Sequence, residues 1–403
     1  MSEDSGEHEA PTRRDYMKYG GAVIGGGLLA GCTGDSGSGS TDTSTVTETA
    51  TETATETATS TESEPYTVSI PPIGDVEFDS IPQSYASMRS FHGEMGIALG
   101  QANKFQAVSS PDQLPFWMYD ELGVEVPSAD DLEAIPSLEN YSFDEEWFYE
   151  ADLDVHLMDP ISAAWAFESV DWERVAEEVG PFFGHYARRR MGATRDYPFL
   201  SLYEIFGKVA DVFKQRERFE AFRSFHDEYI GRIQSELPPQ SERPEIALAA
   251  FGQGSFYVFH VDEGTGKKQY TDLGIGNAMS DAVPDDTHLA EVDYETMLEF
   301  DPEIIVVHNA ILSYTSREAF EEKVIAKIQE DPVGGELSAV KNDQVYMGGN
   351  NSQGPITNLF QTEAAAKQLF PEQFGEFPGW GNVSGDERLF DRQRVADIIN
   401  GDI

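Results

Sequence analysis

The chain has 403 residues, with 73 acidic against 27 basic side chains and a formal net charge of −46. Such an excess repels nucleic acid and anionic lipid headgroups and argues against both as direct partners. The single cysteine, Cys32, rules out a disulfide within the chain, and the eight scattered histidines show no metal-ligand spacing, so no directly bound metal is expected.

In chain order, TRRDYMKYG (12–20) precedes the short apolar stretch GAVIGGGLLAG (21–31). This is the charged n-region and apolar h-region of an export signal. It is too short and glycine-rich for a spanning helix, which needs about 20 apolar residues. Arg13 and Arg14, followed by DYMK, resemble a twin-arginine signal. Leu29, Ala30, Gly31 and Cys32 resemble the lipobox of prokaryotic lipoproteins, in which the Cys sulfur is lipidated and becomes the first mature residue. Residues 33–65 are almost entirely Thr, Ser, Glu, Gly, Asp and Ala, with the near-repeat TETATETATETATS. That composition predicts a disordered, self-repelling tether with no core of its own. The acid excess is spread along the chain and lysine is scarcer than arginine, a surface suited to saturated salt; it predicts a halophilic archaeal source.

From Tyr66 short β-rich runs alternate with helical periods, which predicts an α/β body. YTVSI (66–70), SYASMRS (84–90) and KFQAVSS (104–110) read as strands, and EMGIALGQ (94–101) as a helix ending near Gly100. Leu153, Val155 and Leu157 alternate before a turn at Asp159-Pro160, and DWERVAEEVG (171–180) is an amphipathic helix. Two helical stretches follow. In the second, RERFEAFRSFHDEYIGRIQSEL (216–237), Phe219, Phe222, Phe225, Tyr229 and Ile233 recur every three or four residues. Strand-like RPEIALAAFG and SFYVFHV then restart the alternation, followed by a helix and buried strand in DYETMLEFDPEIIVVHNA. SREAFEEKVIAKIQED is a helix, QVYMGG a strand, TNLFQTEAAAKQLFP a helix and LFDRQRVADIING a closing helix.

That order resembles the solute-binding lipoproteins of ABC importers in the class serving ferric siderophores, cobalamin and haem. The resemblance rests on SYASMRSFHGEMGIALGQANKFQAV, FYEADLDVHLM, EVDYETMLEFDPEIIVV and ELSAVKNDQVYMGG, and covers roughly residues 66–376. It implies two α/β lobes joined by a single long backbone helix, with the ligand cleft between the lobes. The expected boundaries are a signal at 1–31, the lipidated Cys and tether at 32–65, an N-terminal lobe at 66–195, and a helical connection at 196–240. A C-terminal lobe at 241–376 and a tail with a short helix at 377–403 complete the chain.

The resemblance also implies a non-enzymatic receptor without a cofactor, a monomer held on the outer face of the membrane only by its lipid. Its partners would be a permease and an ATPase. Its ligand would be a chelated ferric ion, with cobalamin or haem as alternatives; a tethered sensor or an extracellular enzyme are readings of another class. In GPFFGHYARRRMG (180–192), Phe183 and Tyr186 sit beside Arg188, Arg189 and Arg190 in a chain poor in cations, as an anionic chelate would require. Loops at strand ends add Arg89, Trp117 and Trp165 from the first lobe, and Tyr257, Asn277, Tyr314 and Asn350 from the second. Asn140, Asn350 and Asn382 each open an N-x-S triplet, and Asn350 cannot be both a glycan acceptor and a cleft contact.

Overall fold

The chain opens its ordered body with a hairpin. Strands β1 (Tyr66–Ile70) and β2 (Gly74–Phe78) pair antiparallel, and their inward positions Val68, Ile70, Val76 and Phe78 are buried. The structure is a computed structural model, and it describes residues 64–188, 197–262, 264–285, 287–313 and 316–403. Cys32, Arg13 and Arg14 lie outside the described residues, as do Arg189, Arg190 and Tyr314.

Strands β3 (Tyr85–Ser87), β4 (Phe105–Val108), β5 (Glu133–Ala134) and β6 (Val155–Leu157) form the N-terminal sheet, all parallel in the order β5-β4-β3-β6. The C-terminal sheet is built from β7 (Glu245–Gly252), β8 (Ser255–Phe259), β9 (Gly276–Asn277), β10 (Leu289–Val292), β11 (Ile305–Val307) and β12 (Val345–Met347). Its order is β10-β8-β7-β11-β12, with β9 added to the start of β7. There β7, β11 and β12 run parallel; β8 is antiparallel to both of its neighbours, β7 and β10, so β10 again points the same way as β7.

Residues Pro65–Ile403 form one compact unit. Its hydrophobic interior has three parts. One lies behind the N-terminal sheet around Phe143, Phe148 and Phe182, and one behind the C-terminal sheet around Phe256, Met297 and Val324. The third is continuous between the sheets and holds side chains from both lobes. Through it runs the helix Arg216–Glu236, 21 residues or about 32 Å long. Its predicted stripe is real: Phe219, Phe222, Tyr229 and Ile233 are buried, together with His226 and Ile230. It is preceded by the helix Leu202–Val212, opened by a reciprocal capping box between Ser201 and Glu204. Among the described residues, no helix is long and apolar enough to cross a membrane.

A second helix of this layer, Pro355–Leu369, is buried along all 15 residues, although a surface helix would bury only one stripe. It packs against the first helix of the N-terminal lobe, Ser90–Ala98, and against Lys268–Asp272 of the C-terminal lobe. Most of its polar side chains are bonded. Gln361 accepts from Gln269 at 3.1 Å and donates to the Asn350 carbonyl at 3.1 Å. Asn358 donates to Gln353 at 3.0 Å, and Lys367 to the Phe374 carbonyl at 2.6 Å. Glu363 pairs with buried Arg392, whose guanidinium lies 4.3 Å from the Phe360 ring and 3.6 Å from the Phe390 ring.

Arg392 opens the last helix, Arg392–Asn400, which Asp391 caps by accepting from Arg394 N at 3.1 Å. This helix, expected as part of a tail, packs on Ser90–Ala98, Phe116–Leu122 and Arg216–Glu236. The chain therefore ends against the N-terminal lobe. Gly100 shows how tight that return is: its φ is +70°, and a Cβ there would fall 2.7 Å from the Ile399 carbonyl. Two local expectations change. LPFWMY is not a strand-end loop but the start of the helix Phe116–Leu122, and the helix expected over SREAFEEKVIAKIQED runs unbroken from Arg317 to Glu330 but widens for one turn at Glu321–Ile325.

Candidate functional site at the inter-lobe seam

In open α/β sheets, ligands bind beyond the carboxyl ends of the strands. Here the carboxyl ends of both sheets lead to a common seam. Beyond β3 come Met88, Arg89 and Ser90, steadied by Ser109, whose hydroxyl donates to the Met88 carbonyl at 2.7 Å. Beyond β12 comes the Gly348–Gly354 loop. Ser90 Oγ donates to the Ser352 carbonyl at 2.9 Å, so the two strand ends touch.

A third strip, residues 182–188, runs beside β6 through a parallel bridge of Phe182 with His156. Asp159 aligns it by accepting from Tyr186 N at 2.8 Å. His185 fixes its start: Nε2 accepts from Leu200 N at 3.1 Å, so the proton sits on Nδ1, which donates to the Pro71 carbonyl at 2.7 Å. The strip then crosses to the other lobe. Thr265 N donates to the Ala187 carbonyl at 2.8 Å and Gly266 N to the Arg188 carbonyl at 3.1 Å. From the C-terminal lobe, β11 delivers His308 and then Asn309, whose φ of +61° turns its side chain to accept from Asn351 N at 2.8 Å.

Six buried side-chain atoms on these strand ends have no hydrogen-bond partner among the described residues: Ser87 Oγ, Arg89 Nε, Thr265 Oγ1, His308 Nδ1, Asn350 Nδ2 and Ser352 Oγ. Buried polar groups in folded proteins are nearly always paired, and leaving one unpaired costs about 1–3 kcal/mol. These are six of sixteen such atoms among the described residues, and because they lie on both sides of one seam they make it the candidate place for a bound molecule. The set is rich in donors, and two cations stand with it. Burial, with the neighbouring charges of Arg188 and Lys267 acting the same way, pushes His308 down to about 3. Lys267 is itself buried and paired with Asp262. In a chain of net charge −46, this seam gathers Arg89, Arg188 and Lys267 and offers N–H and O–H groups. It suits an anion with several acceptor oxygens.

Residues 186–351 match the family model described as periplasmic binding protein, a segment that starts on the seam strip and ends in the loop after β12. No curated protein matches the chain. Among solved structures, a periplasmic binding protein from Veillonella parvula superposes with a TM-score of 0.55 at 18% identity, covering 76% of this chain and 97% of that one. PiuA from Streptococcus pneumoniae, an iron uptake ABC transporter substrate-binding protein, gives 0.56 at 16% identity, with 75% and 98% covered. SirA from Staphylococcus aureus, solved in complex with staphyloferrin B, gives 0.54 at 11% identity, with 75% and 98% covered. The fold is therefore that of the periplasmic binding proteins, as the element order implied.

Of the residues singled out from sequence, Arg89, Arg188 and Asn350 lie at the seam. Tyr186 is buried beside it, held through its backbone by Asp159. Trp165 is 48% exposed on the turn that follows β6. The other four serve the framework. Phe183 is fully buried against Phe78, with ring centroids 6.0 Å apart. Trp117 packs edge-on to Phe360 and Trp380. Tyr257 sits on β8 with its hydroxyl 3.5 Å from Glu291, and Asn277 shapes a turn by accepting from Met279 N at 3.1 Å. Burial of both Asn350 and Ser352 closes that triplet to glycan transfer.

Sequence reading passed over Ser87, Thr265, Lys267, His308 and Ser352. One signal was available for Lys267: Lys267-Lys268 is an adjacent cation pair in a lysine-poor chain, the same scarcity that drew attention to Arg188. The hydroxyls carry no such mark.

Proposed function

We propose that this chain is a membrane-tethered extracytoplasmic substrate-binding protein of an ABC importer, and that it captures an anionic ferric chelate of siderophore or citrate type at the seam. The observation that carries the reading is the set of unpartnered buried donors beside Arg188 and Lys267. The names of PiuA and of the SirA complex agree with it in chemistry. The protein would release its ligand unchanged to a permease powered by an ATPase. Its tether would be the lipid on Cys32, added after export directed by Arg13 and Arg14, with residues 33–65 as spacer. Arg189, Arg190 and Tyr314 are further candidate ligand contacts by their residue type.

Ferric citrate, a ferric hydroxamate, cyanocobalamin and haemin, titrated separately in multimolar KCl against tryptophan fluorescence, test the ligand class. Trp165, on the turn after β6, serves as reporter. The ferric anions are expected to bind, and Arg188→Ala to weaken them by roughly one to two orders of magnitude, the worth of one charge-assisted hydrogen bond. Tight binding of cyanocobalamin alone would overturn the ferric reading while leaving a receptor.

A further inference from the structure

The buried helix Pro355–Leu369 has a carboxylate at its amino end that comes from the other lobe. Glu94, on the helix Ser90–Ala98, is fully buried. Its Oε1 accepts from Ile356 N and Thr357 N, both at 2.7 Å. Its Oε2 accepts from the Thr357 hydroxyl and from Tyr119 OH, the latter at 3.5 Å. Four donors thus converge on one side chain, three of them from 262 or 263 positions away in sequence. A helix amino end carries unpaired N–H groups and partial positive charge, and Glu94 takes up both. A ligand's negative charge must then be met by arginine, lysine and the loose donors of the seam rather than by this helix.

The placement matters more than the cap. Glu94 lies one helical turn beyond Ser90, so Arg89, Ser90 and Glu94 move as one rigid piece. On the facing side Asn350, Ser352, Gly354 and Ile356 form one short connection from β12 into the buried helix. Ser90 holds Ser352 and Glu94 holds Ile356 and Thr357, two clamps on the same connection. Gly354 lies between them with no room to spare: a Cβ there would fall 2.7 Å from Glu94 Oε1. The unpaired Asn350 amide and Ser352 hydroxyl sit on the clamped loop, and the unpaired Arg89 Nε sits on the clamping piece.

We infer that Glu94 is a positioning residue for ligand capture: it holds the Asn350–Gly354 loop against Arg89 and Ser90, so that donors from both lobes meet a single ligand in register. This rests on the receptor reading of the seam. Glu94 touches no ligand; it acts through the loop. The middle of the same helix supplies a matched control, because Glu363 is also a buried carboxylate tied across the fold, to Arg392 and to Leu389 N.

The test compares Glu94→Gln, Glu94→Ala and Glu363→Gln in multimolar KCl at pH 8.5, where Glu94 is ionised, by three readouts. These are affinity for ferric citrate, thermal midpoint, and hydrogen exchange of residues 350–357 without ligand. Glutamine keeps the shape of each carboxylate, so Glu94→Gln remains informative if Glu94→Ala does not fold. Glu94→Gln is expected to weaken ferric citrate by about tenfold and to speed exchange at 350–357, as loss of a charge-assisted contact would. Glu363→Gln is expected to lower the midpoint at least as much while leaving affinity within about twofold, since folded molecules bind alike whatever their global stability. Equal affinity for Glu94→Gln and the parent, or a loss in Glu363→Gln that matches it, would overturn the inference. If the parent itself does not bind ferric citrate, that ligand assignment fails separately, and exchange decides for Glu94: acceleration confined to its variants supports the clamp, and unchanged exchange sinks it.

Discussion

Two adjoining regions bury polar side chains to a similar depth and treat them differently. Along Pro355–Leu369 most of them are paired: Gln361 with Gln269, Glu363 with Arg392, Lys367 with Phe374. Thr362 Oγ1 and one oxygen of Asn358 are the exceptions there. A few residues upstream and across the seam, Asn350, Ser352, Ser87, Arg89, Thr265 and His308 each leave a buried atom unpaired. Pairing that closes within the chain builds the joint between the lobes. Pairing left open at strand ends is what a receptor keeps for its ligand.

The sharpest separation of the two regions comes from the joint. Arg392→Ala removes one partner of a buried ion pair and leaves Glu363 uncompensated, a loss of about 3–5 kcal/mol. Denaturation in multimolar KCl is expected to show that loss, with ferric-ligand affinity of the folded protein unchanged. A parallel loss of affinity would mean that joint and seam are one unit.

Titration distinguishes groups within each region. Burial holds His92, His156 and His308 at about 3 against an ordinary value of 6.5, with His185 adding to the shift of His92. The unfolded chain takes up these protons first, so their contribution is complete above pH 6.5 and is lost as pH falls from 6.5 toward 3. Glu94 has the opposite sign. Its donors pull it down, but burial outweighs them and raises it to about 7 from 4.5. Its contribution is full below pH 4.5 and declines as pH rises to 7. Thermal melts between pH 5 and 8 are expected to steepen on the acid side, and His156→Leu to flatten that arm by up to about 1.4 kcal/mol per pH unit. An acid arm unchanged in His156→Leu would remove His156 from this account.

The smallest effect is the most selective. Ser87→Ala deletes an unpaired buried hydroxyl, so the ligand-free protein is expected to keep or slightly raise its melting temperature, by no more than about 1 kcal/mol in stability. A clear drop would show that the hydroxyl already has a structural partner.

Most of the fold was legible because strand alternation and helical period are local signals. YTVSI, the stripe from Phe219 to Ile233 and the strand before His308 all lie where the pattern put them. The joint was not legible. Complete burial of Pro355–Leu369 comes from neighbours in both lobes, and its sequence carries glutamine, glutamate and lysine that read as a solvent face. Trp117 looked like a ligand contact because nothing local announces that Trp380 and the last helix return to cover it. Arg188 was legible through the scarcity of cations. Ser87 and Thr265 matter only for partners they lack, a property of the folded neighbourhood.

The central claim is that the open donors of the seam await an anionic ferric ligand, and Asn350 tests it most directly. Isothermal titration of ferric citrate and of a ferric hydroxamate into the parent and Asn350→Ala, at multimolar KCl, should give tight binding of at least one by the parent. The variant should bind that ligand about fivefold or more weakly, and, because Asn350 Oδ1 accepts from Ser352 N at 2.7 Å, its ligand-free stability should fall by about 1 kcal/mol. Equal affinity in the two proteins would contradict it.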